Sequence, residues 1–156
     1  MRLLFKQRVF SWFDSYDIYN EAGDTVFTVE GRLAWGHKLV ISSPAGDELA
    51  TVREKVFRLL PQFEVWMGDQ LVGTIQKEFS FFKPRYDIDF NGWHVEGSWT
   101  EWDYTITGAD GSLIATVSKE LFHWADTYVL DITDPGDALS VLAFALAMDA
   151  EKCSRD

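Results

Sequence analysis

The chain has 156 residues, of which 47% are hydrophobic and 15% aromatic, and its formal net charge is −11 at pH 7. This length and apolar content exclude a disordered chain, and we expect residues 1–156 to form a single domain. The acidic charge argues against nucleic acid as a partner, because affinity for nucleic acid comes mainly from neutralising phosphates. The lone cysteine, Cys153, permits no internal disulfide, which is typical of cytoplasmic proteins.

The amino-terminal region has no apolar run that would suit a signal peptide or a transmembrane segment. Two short segments, 5–10 and 16–19, fit an opening pair of strands ahead of a series of repeats in which apolar and polar residues alternate. Such alternation is typical of strands with one buried face. A longer unit then recurs, and each copy opens with a turn signal that leads into β-branched residues. The copies begin at Gly23, Gly46, Gly68, Asn91 and Asp110.

Each copy ends in a second alternating segment, such as 86–90 or 128–132. A copy is therefore a turn, a strand, a short connection and a second strand. About five copies and the opening pair make about twelve consecutive antiparallel strands. Closing these strands into a barrel removes exposed sheet edges. Because about eight strands already enclose a space that side chains fill, a larger barrel has room for a further element.

That element is predicted at residues 138–148, where every residue except Ser140 is apolar. Asp134 can cap the helix and Pro135 suits its first turn. Since the helix has no polar face, we expect it to be buried on all sides inside the barrel. The polar tail, 149–156, is expected to fray. Small wall residues would let the helix approach closely; these are Ala50, Gly73 and Ala115.

The segment 87–92 matches the first half of an EF-hand loop, Asp-x-Asp-x-Asn-Gly, but Ser98 stands where the loop needs a bidentate Glu. Ile88 and Phe90 instead fit a strand that faces the core, and Asn91-Gly92 fits a hairpin turn. We therefore predict a strand and a turn here, with no calcium site.

Catalytic chemistry has no clear signature in the chain. The three histidines lie on different repeats and lack metal-ligand spacing. No nucleophile elbow, phosphate loop or dinucleotide fingerprint occurs. We expect no catalytic residues, no metal site and no cofactor. Trp99 to Asp103 is an unusual aromatic stretch, and two interpretations stay open: it fills the lumen, or it contacts a ligand or membrane.

Charge is distributed unevenly between the two ends of the predicted barrel. The turns that open the repeats are acidic, whereas the connections within the repeats hold most of the basic residues. Two neighbouring connections supply a candidate site for an anion or lipid headgroup, formed by Lys55, Arg58, Lys77, Lys83 and Arg85. Basic side chains can hold a phosphate through charge-assisted hydrogen bonds. The alternative is that these residues pair with Glu54 and Glu78 and only solvate an exposed end.

Three stretches together resemble the LURP-one-related proteins of the tubby C-terminal-like and phospholipid scramblase superfamily. They are Lys-Gln-Arg-Val-Phe-Ser-Trp-Phe-Asp (6–14), Tyr-Asn-Glu-Ala-Gly-Asp-Thr-Val-Phe-Thr-Val-Glu-Gly (19–31) and the apolar helix. The resemblance implies a twelve-stranded closed barrel around a central C-terminal helix. It also implies lipid-related functions, since tubby-like domains bind phosphoinositides and scramblases are linked to lipid movement. This chain lacks the cysteine-rich palmitoylation segment of scramblases, and no binding residue carries over.

The predicted fold class is therefore mainly β with one helix, a closed antiparallel β-barrel of about twelve strands around a central hydrophobic C-terminal helix. The functional hypothesis is a non-enzymatic cytoplasmic protein, peripheral to the membrane, that binds phospholipid headgroups. A protein–protein interaction module is the alternative. An enzyme whose site is assembled across several connections is the least favoured interpretation.

Overall fold

The computed structural model describes residues 1–6, 15–34, 36–55, 59–60, 62–78, 85–98, 103–122 and 125–153. The strands are β1 (Arg2–Lys6), β2 (Ser15–Tyr19), β3 (Thr25–Ala34), β4 (Gly36–Ser42), β5 (Glu48–Lys55), β6 (Gln62–Met67), β7 (Gln70–Glu78), β8 (Arg85–Phe90), β9 (His94–Ser98), β10 (Asp103–Thr107), β11 (Leu113–Phe122) and β12 (Ala125–Ile132). A 3-10 turn, Pro135–Asp137, leads into the helix α1 (Ala138–Cys153).

The 12 strands form one sheet in the order β8-β7-β6-β5-β4-β3-β2-β1-β12-β11-β10-β9. The pairing of β1 with β12 joins the first and the last strand, and the 12 strands form a nearly closed barrel. All described ladders are antiparallel. The structure confirms the predicted fold class, and it shows no ladder between β8 and β9 in the part of the chain that it describes.

Alternation along the strands separates the core from the outer surface. On β6, Phe63 and Val65 are fully buried, and on β5 Ala50 and Val52 are buried while Arg53 is exposed. The strand and turn predicted at 87–92 are also confirmed. Asn91 and Gly92 have φ values of 54° and 68°, as a two-residue hairpin turn requires.

The helix occupies the middle of the barrel, as predicted. The Asp134 side chain accepts a hydrogen bond of 2.9 Å from the Gly136 backbone N–H and caps the preceding turn. Leu142 and Phe144 are completely buried. The expectation that the chain frays from 149 was wrong, because α1 continues to Cys153 and Asp149 is only 3% exposed.

The small wall residues Ala50, Gly73 and Ala115 are all buried, but they make room for different neighbours. The helix lies nearest to β5, β6 and β12. Ala50 is on β5, on the side that the helix approaches. Gly73 is on β7, and an added β-carbon there would overlap the ring of Phe90 on the neighbouring strand. Gly73 therefore makes room for an aromatic side chain within the wall.

The barrel has two distinct ends. Because consecutive strands are antiparallel, the connections that follow β2, β4, β6, β8 and β10 lie at one end, which we call the turn end. The helix starts there, directly after β12. The other end, the helix-exit end, contains the connections that follow β1, β3, β5, β7, β9 and β11. Asp149, in the last turns of α1, reaches this end.

A polar contact anchors the last turns of α1 inside the helix-exit end. The Tyr128 hydroxyl donates a buried hydrogen bond of 3.0 Å to Oδ1 of Asp149. Burial, together with the Asp149 carboxylate, raises the pKa of the Tyr104 phenol well above its ordinary range. Tyr104 is therefore protonated at neutral pH. Burying a carboxylate is costly unless it is hydrogen-bonded, so this contact explains why the helix extends beyond its apolar part.

Candidate functional site

The backbone places three of the five predicted anion-site residues at the helix-exit end. Lys55 is the last residue of β5, Lys77 is near the end of β7, and Arg85 is the first residue of β8. These strands are neighbours in the order β5-β6-β7-β8, and Glu78 lies opposite Arg85 in the register. Arg58 and Lys83 are outside the described residues. The anion site itself stays a prediction.

Lys55 lies at the surface beside Glu64 of β6. Its Nζ is 3.9 Å from Oε2 of Glu64, and the two side chains are 43% and 14% exposed. Solvent reaches the Lys55 end of this pair and screens it, whereas the Glu64 end is largely buried.

Glu54, one of the acidic residues named in the alternative interpretation, contacts His37 on the neighbouring strand β4. Its Oε2 lies 2.6 Å from Nδ1 of His37 and also accepts a 3.3 Å hydrogen bond from the His37 backbone N–H. Leu39 and Val52, two residues along from each member of this pair, face the core. His37 and Glu54 therefore lie on the inner face of the barrel, whereas Lys55 lies on the outer face.

Three cations lie side by side on the outer face near the helix-exit end. Arg32 of β3 is directly opposite Lys38 of β4, and Lys38 is directly opposite Arg53 of β5. We call Arg32, Lys38 and Arg53 the cationic row. Like charges directly opposite each other destabilise a sheet, so a row of this kind needs compensation or a bound anion.

Nearby groups compensate part of this charge. Arg32 donates a 2.9 Å hydrogen bond from Nη1 to Glu48 and a 3.3 Å bond from Nη2 to Glu30. These hydrogen bonds raise the pKa of the Arg32 guanidinium. Arg53 has its Cζ 5.9 Å from the ring centroid of Trp66, within the range of a cation–π contact. The cationic row is thus held in place at its two outer positions.

The sequence analysis placed these three cations near connections, but it did not predict that they lie opposite one another on neighbouring strands. Alternation alone predicts that each faces outward, since Gly31, Leu39 and Val52 beside them are buried. Their alignment depends on the pairing register, and a β-bulge between Ile41 and Ser42 shifts that register. No local pattern in the sequence predicts this bulge, so the sequence analysis did not identify the cationic row.

Three further expectations from the sequence concern the tryptophans, metal binding and membrane-spanning segments. Trp99 and Trp102 lie outside the described residues, so their role stays open. In the ranges that the structure describes, no three His, Cys, Asp or Glu side chains are grouped so that they could hold a metal ion. None of the described helices has both the length and the apolar character needed to cross a membrane.

Calcium and chelators are both expected to leave the melting temperature unchanged. Asp87 and Asp89 are exposed on the extended strand β8, with Phe90 buried beside them, so their carboxylates do not surround one point. A ligand that binds only the folded state, at about a hundred times its Kd, adds about 2.7 kcal/mol and would be detected by calorimetry. A calcium-dependent rise that disappears in Asp87→Asn with Asp89→Asn would contradict this prediction.

Comparison with known proteins decides the family. The sequence model of a family described as LURP-one-related matches residues 1–149. This chain belongs to the LURP-one-related family. The resemblance seen in the sequence is therefore confirmed.

Two relatives extend this result. The LURP-one-related chain is 30% identical over 150 residues to the uncharacterized protein YxjI of Bacillus subtilis (strain 168), a match that covers 96% of this chain and 92% of the relative. It also resembles an X-ray structure of an Arabidopsis thaliana protein, with a TM-score of 0.57, 18% identity and coverage of 92% of this chain and 88% of that one. The structural likeness supports the LURP-one-related fold, and it carries no information on a ligand.

Proposed function

We propose that this LURP-one-related barrel is a non-enzymatic, cytoplasmic binding protein that attaches to anionic phospholipid headgroups through its helix-exit end. The observation that supports the proposal most directly is the cationic row, which lies beside Lys55 on the outer face of β3, β4 and β5. Arg85, the first residue of β8, lies at the same end of the barrel. A headgroup phosphate is a suitable ligand, because arginine and lysine bind phosphate through charge-assisted hydrogen bonds.

The net charge of −11 restricts how such binding can occur. The acidic remainder of the surface repels a flat anionic membrane, whereas salt screens charges beyond about 8 Å at physiological ionic strength. A local group of cations can therefore act on a headgroup in direct contact while the more distant acidic turns are screened. The barrel would approach the membrane with its helix-exit end foremost, as a peripheral protein.

Vesicle binding tests the proposal directly. The protein is mixed with vesicles of phosphatidylcholine that contain phosphoinositide, at low and at physiological salt, and binding is measured by co-sedimentation. The parent is expected to bind, with weaker binding at the higher salt. Lys38→Glu with Arg53→Glu, and separately Lys77→Glu with Lys83→Glu and Arg85→Glu, should weaken binding by at least about tenfold, since each basic residue near an anionic surface contributes about 1 kcal/mol.

The control changes the same kind of charge at a different place. Arg2→Glu lies at the start of β1, at the turn end and away from the helix-exit end, and should leave vesicle binding close to that of the parent. Melting temperatures show whether each variant is folded. If the parent does not bind at low salt, or if the parent and both multiple variants bind equally, the helix-exit end is not a lipid-binding surface.

A further inference from the structure

The nearly closed barrel contains one discontinuity in the part that the structure describes. β8 pairs with β7, and β9 pairs with β10, but no ladder joins β8 to β9. A turn hydrogen bond of 2.9 Å, from the Trp93 N–H to the Phe90 carbonyl, connects them at the turn end. We call the gap between β8 and β9 the seam. The edges of the two strands that face the seam carry backbone N–H and C=O groups outside any described ladder.

Aromatic side chains fill the turn end of the seam. The Phe90 ring centroid lies 5.2 Å from that of Trp93 and 5.9 Å from that of Phe144 on the helix. Tyr104 packs against the other side of Phe144 at 5.9 Å. Phe144 therefore contacts one aromatic ring on each side of the seam, Phe90 on β8 and Tyr104 on β10.

The next inward-facing residues show where the seam is open. Ile88 and Val95 are only partly buried. Their register partners on the neighbouring strands, Ile75 and Ile106, are 1% and 0% exposed. All four residues face the same interior, and among the described strands none pairs with the seam side of Ile88 or of Val95.

The outer margins of the seam are acidic. Asp87 and Asp89 on β8, Glu96 on β9 and Asp103 on β10 are all exposed. His94 has its Nε2 2.9 Å from Oε1 of Glu96. A second copy of this chain would place acidic margin against acidic margin, and like charges on facing strands are destabilising. The charge thus disfavours self-pairing and favours a cationic partner.

We infer that the seam binds an extended cationic segment of a partner protein by β-strand addition. The backbone of the segment pairs with the open edges of β8 and β9, as in other cases where a peptide adds a strand to a sheet edge. Its apolar side chains, at alternate positions, cover Ile88 and Val95. The lysine or arginine side chains between them face Asp87, Asp89 and Glu96. The acidic residues of this site are separate from the cationic row, although β8 also carries Arg85 of the proposed lipid surface.

A synthetic peptide of about eight alternating lysine and valine residues, the length of an ordinary strand, is a suitable probe. Its affinity for the full chain is measured by isothermal titration calorimetry, and hydrogen exchange locates the site. We expect binding with increased amide protection within residues 85–98. Asp87→Asn with Asp89→Asn should weaken binding about fivefold to tenfold, since two exposed charge pairs are lost.

Two controls separate strand addition from general attraction to an acidic protein. Asp47→Asn with Asp69→Asn removes the same charge from exposed positions at the turn end and should bind the peptide like the parent. A peptide that is N-methylated at every second residue keeps its charge but lacks the N–H donors of one edge, and it should not bind. Lys38→Glu with Arg53→Glu should retain peptide binding, which distinguishes this inference from the lipid proposal.

The inference is overturned if the N-methylated peptide binds as tightly as the unmodified one, or if both double Asp→Asn variants bind equally. A dimer of the parent would also overturn the inference under two conditions. Light scattering would have to show that the peptide does not dissociate the dimer, and hydrogen exchange would have to show that the amides of 85–98 are protected within it. In that case a second copy would occupy the seam.

Discussion

Leu142→Asp is expected to abolish stable folding. Leu142 is 0% exposed and lies in the middle of α1, surrounded by the barrel wall. An unpaired carboxylate at such a position costs several kcal/mol, and a domain is typically stable by only about 5–15 kcal/mol in total. The near-ultraviolet circular dichroism spectrum should lose its aromatic signals, and no cooperative thermal transition should remain.

The matched control is Leu113→Asp. Leu113 begins β11 and is 49% exposed, so the same chemical change there should leave a cooperative transition close to that of the parent. The central position of the helix would be contradicted if Leu142→Asp melted within a few degrees of Leu113→Asp.

Phe144→Ala is expected to lower the melting temperature by about 10 °C. Phe144 is fully buried and packs edge-on against both Phe90 and Tyr104. Removing a buried phenylalanine side chain costs about 3–5 kcal/mol. In a chain of this size each kcal/mol lowers the melting temperature by about 2–4 °C. Urea unfolding should show the same loss of free energy with an unchanged slope.

Two further variants show whether the ring itself matters. Phe144→Leu keeps much of the apolar volume and should lie between the parent and Phe144→Ala. Leu113→Ala, at an exposed position, should change the melting temperature little. If Phe144→Ala cost no more stability than Leu113→Ala, the aromatic contacts of Phe144 would not hold β8 and β10 together at the seam.

The sequence by itself determined the repeating strands, the central helix and the family. These features depend on neighbouring residues. Asn91-Gly92 adopts the positive φ values of a hairpin turn, alternation places Phe63 and Val65 in the core, and the apolar run after Asp134 has no face suited to water. Each of these signals is local, and each is consistent with the final fold.

Tertiary structure alone decided three other features of the barrel. The cationic row requires the register of β3, β4 and β5, which a bulge shifts. Asp149 looked like part of a polar tail, but Tyr128, distant in sequence, binds it inside the barrel. The hairpin signal at Asn91-Gly92 correctly predicted a turn, but the described pairings contain no ladder between β8 and β9. The physical reason is common to all three: register, burial of a charge and closure of a barrel depend on the packing of distant segments, which no local pattern encodes.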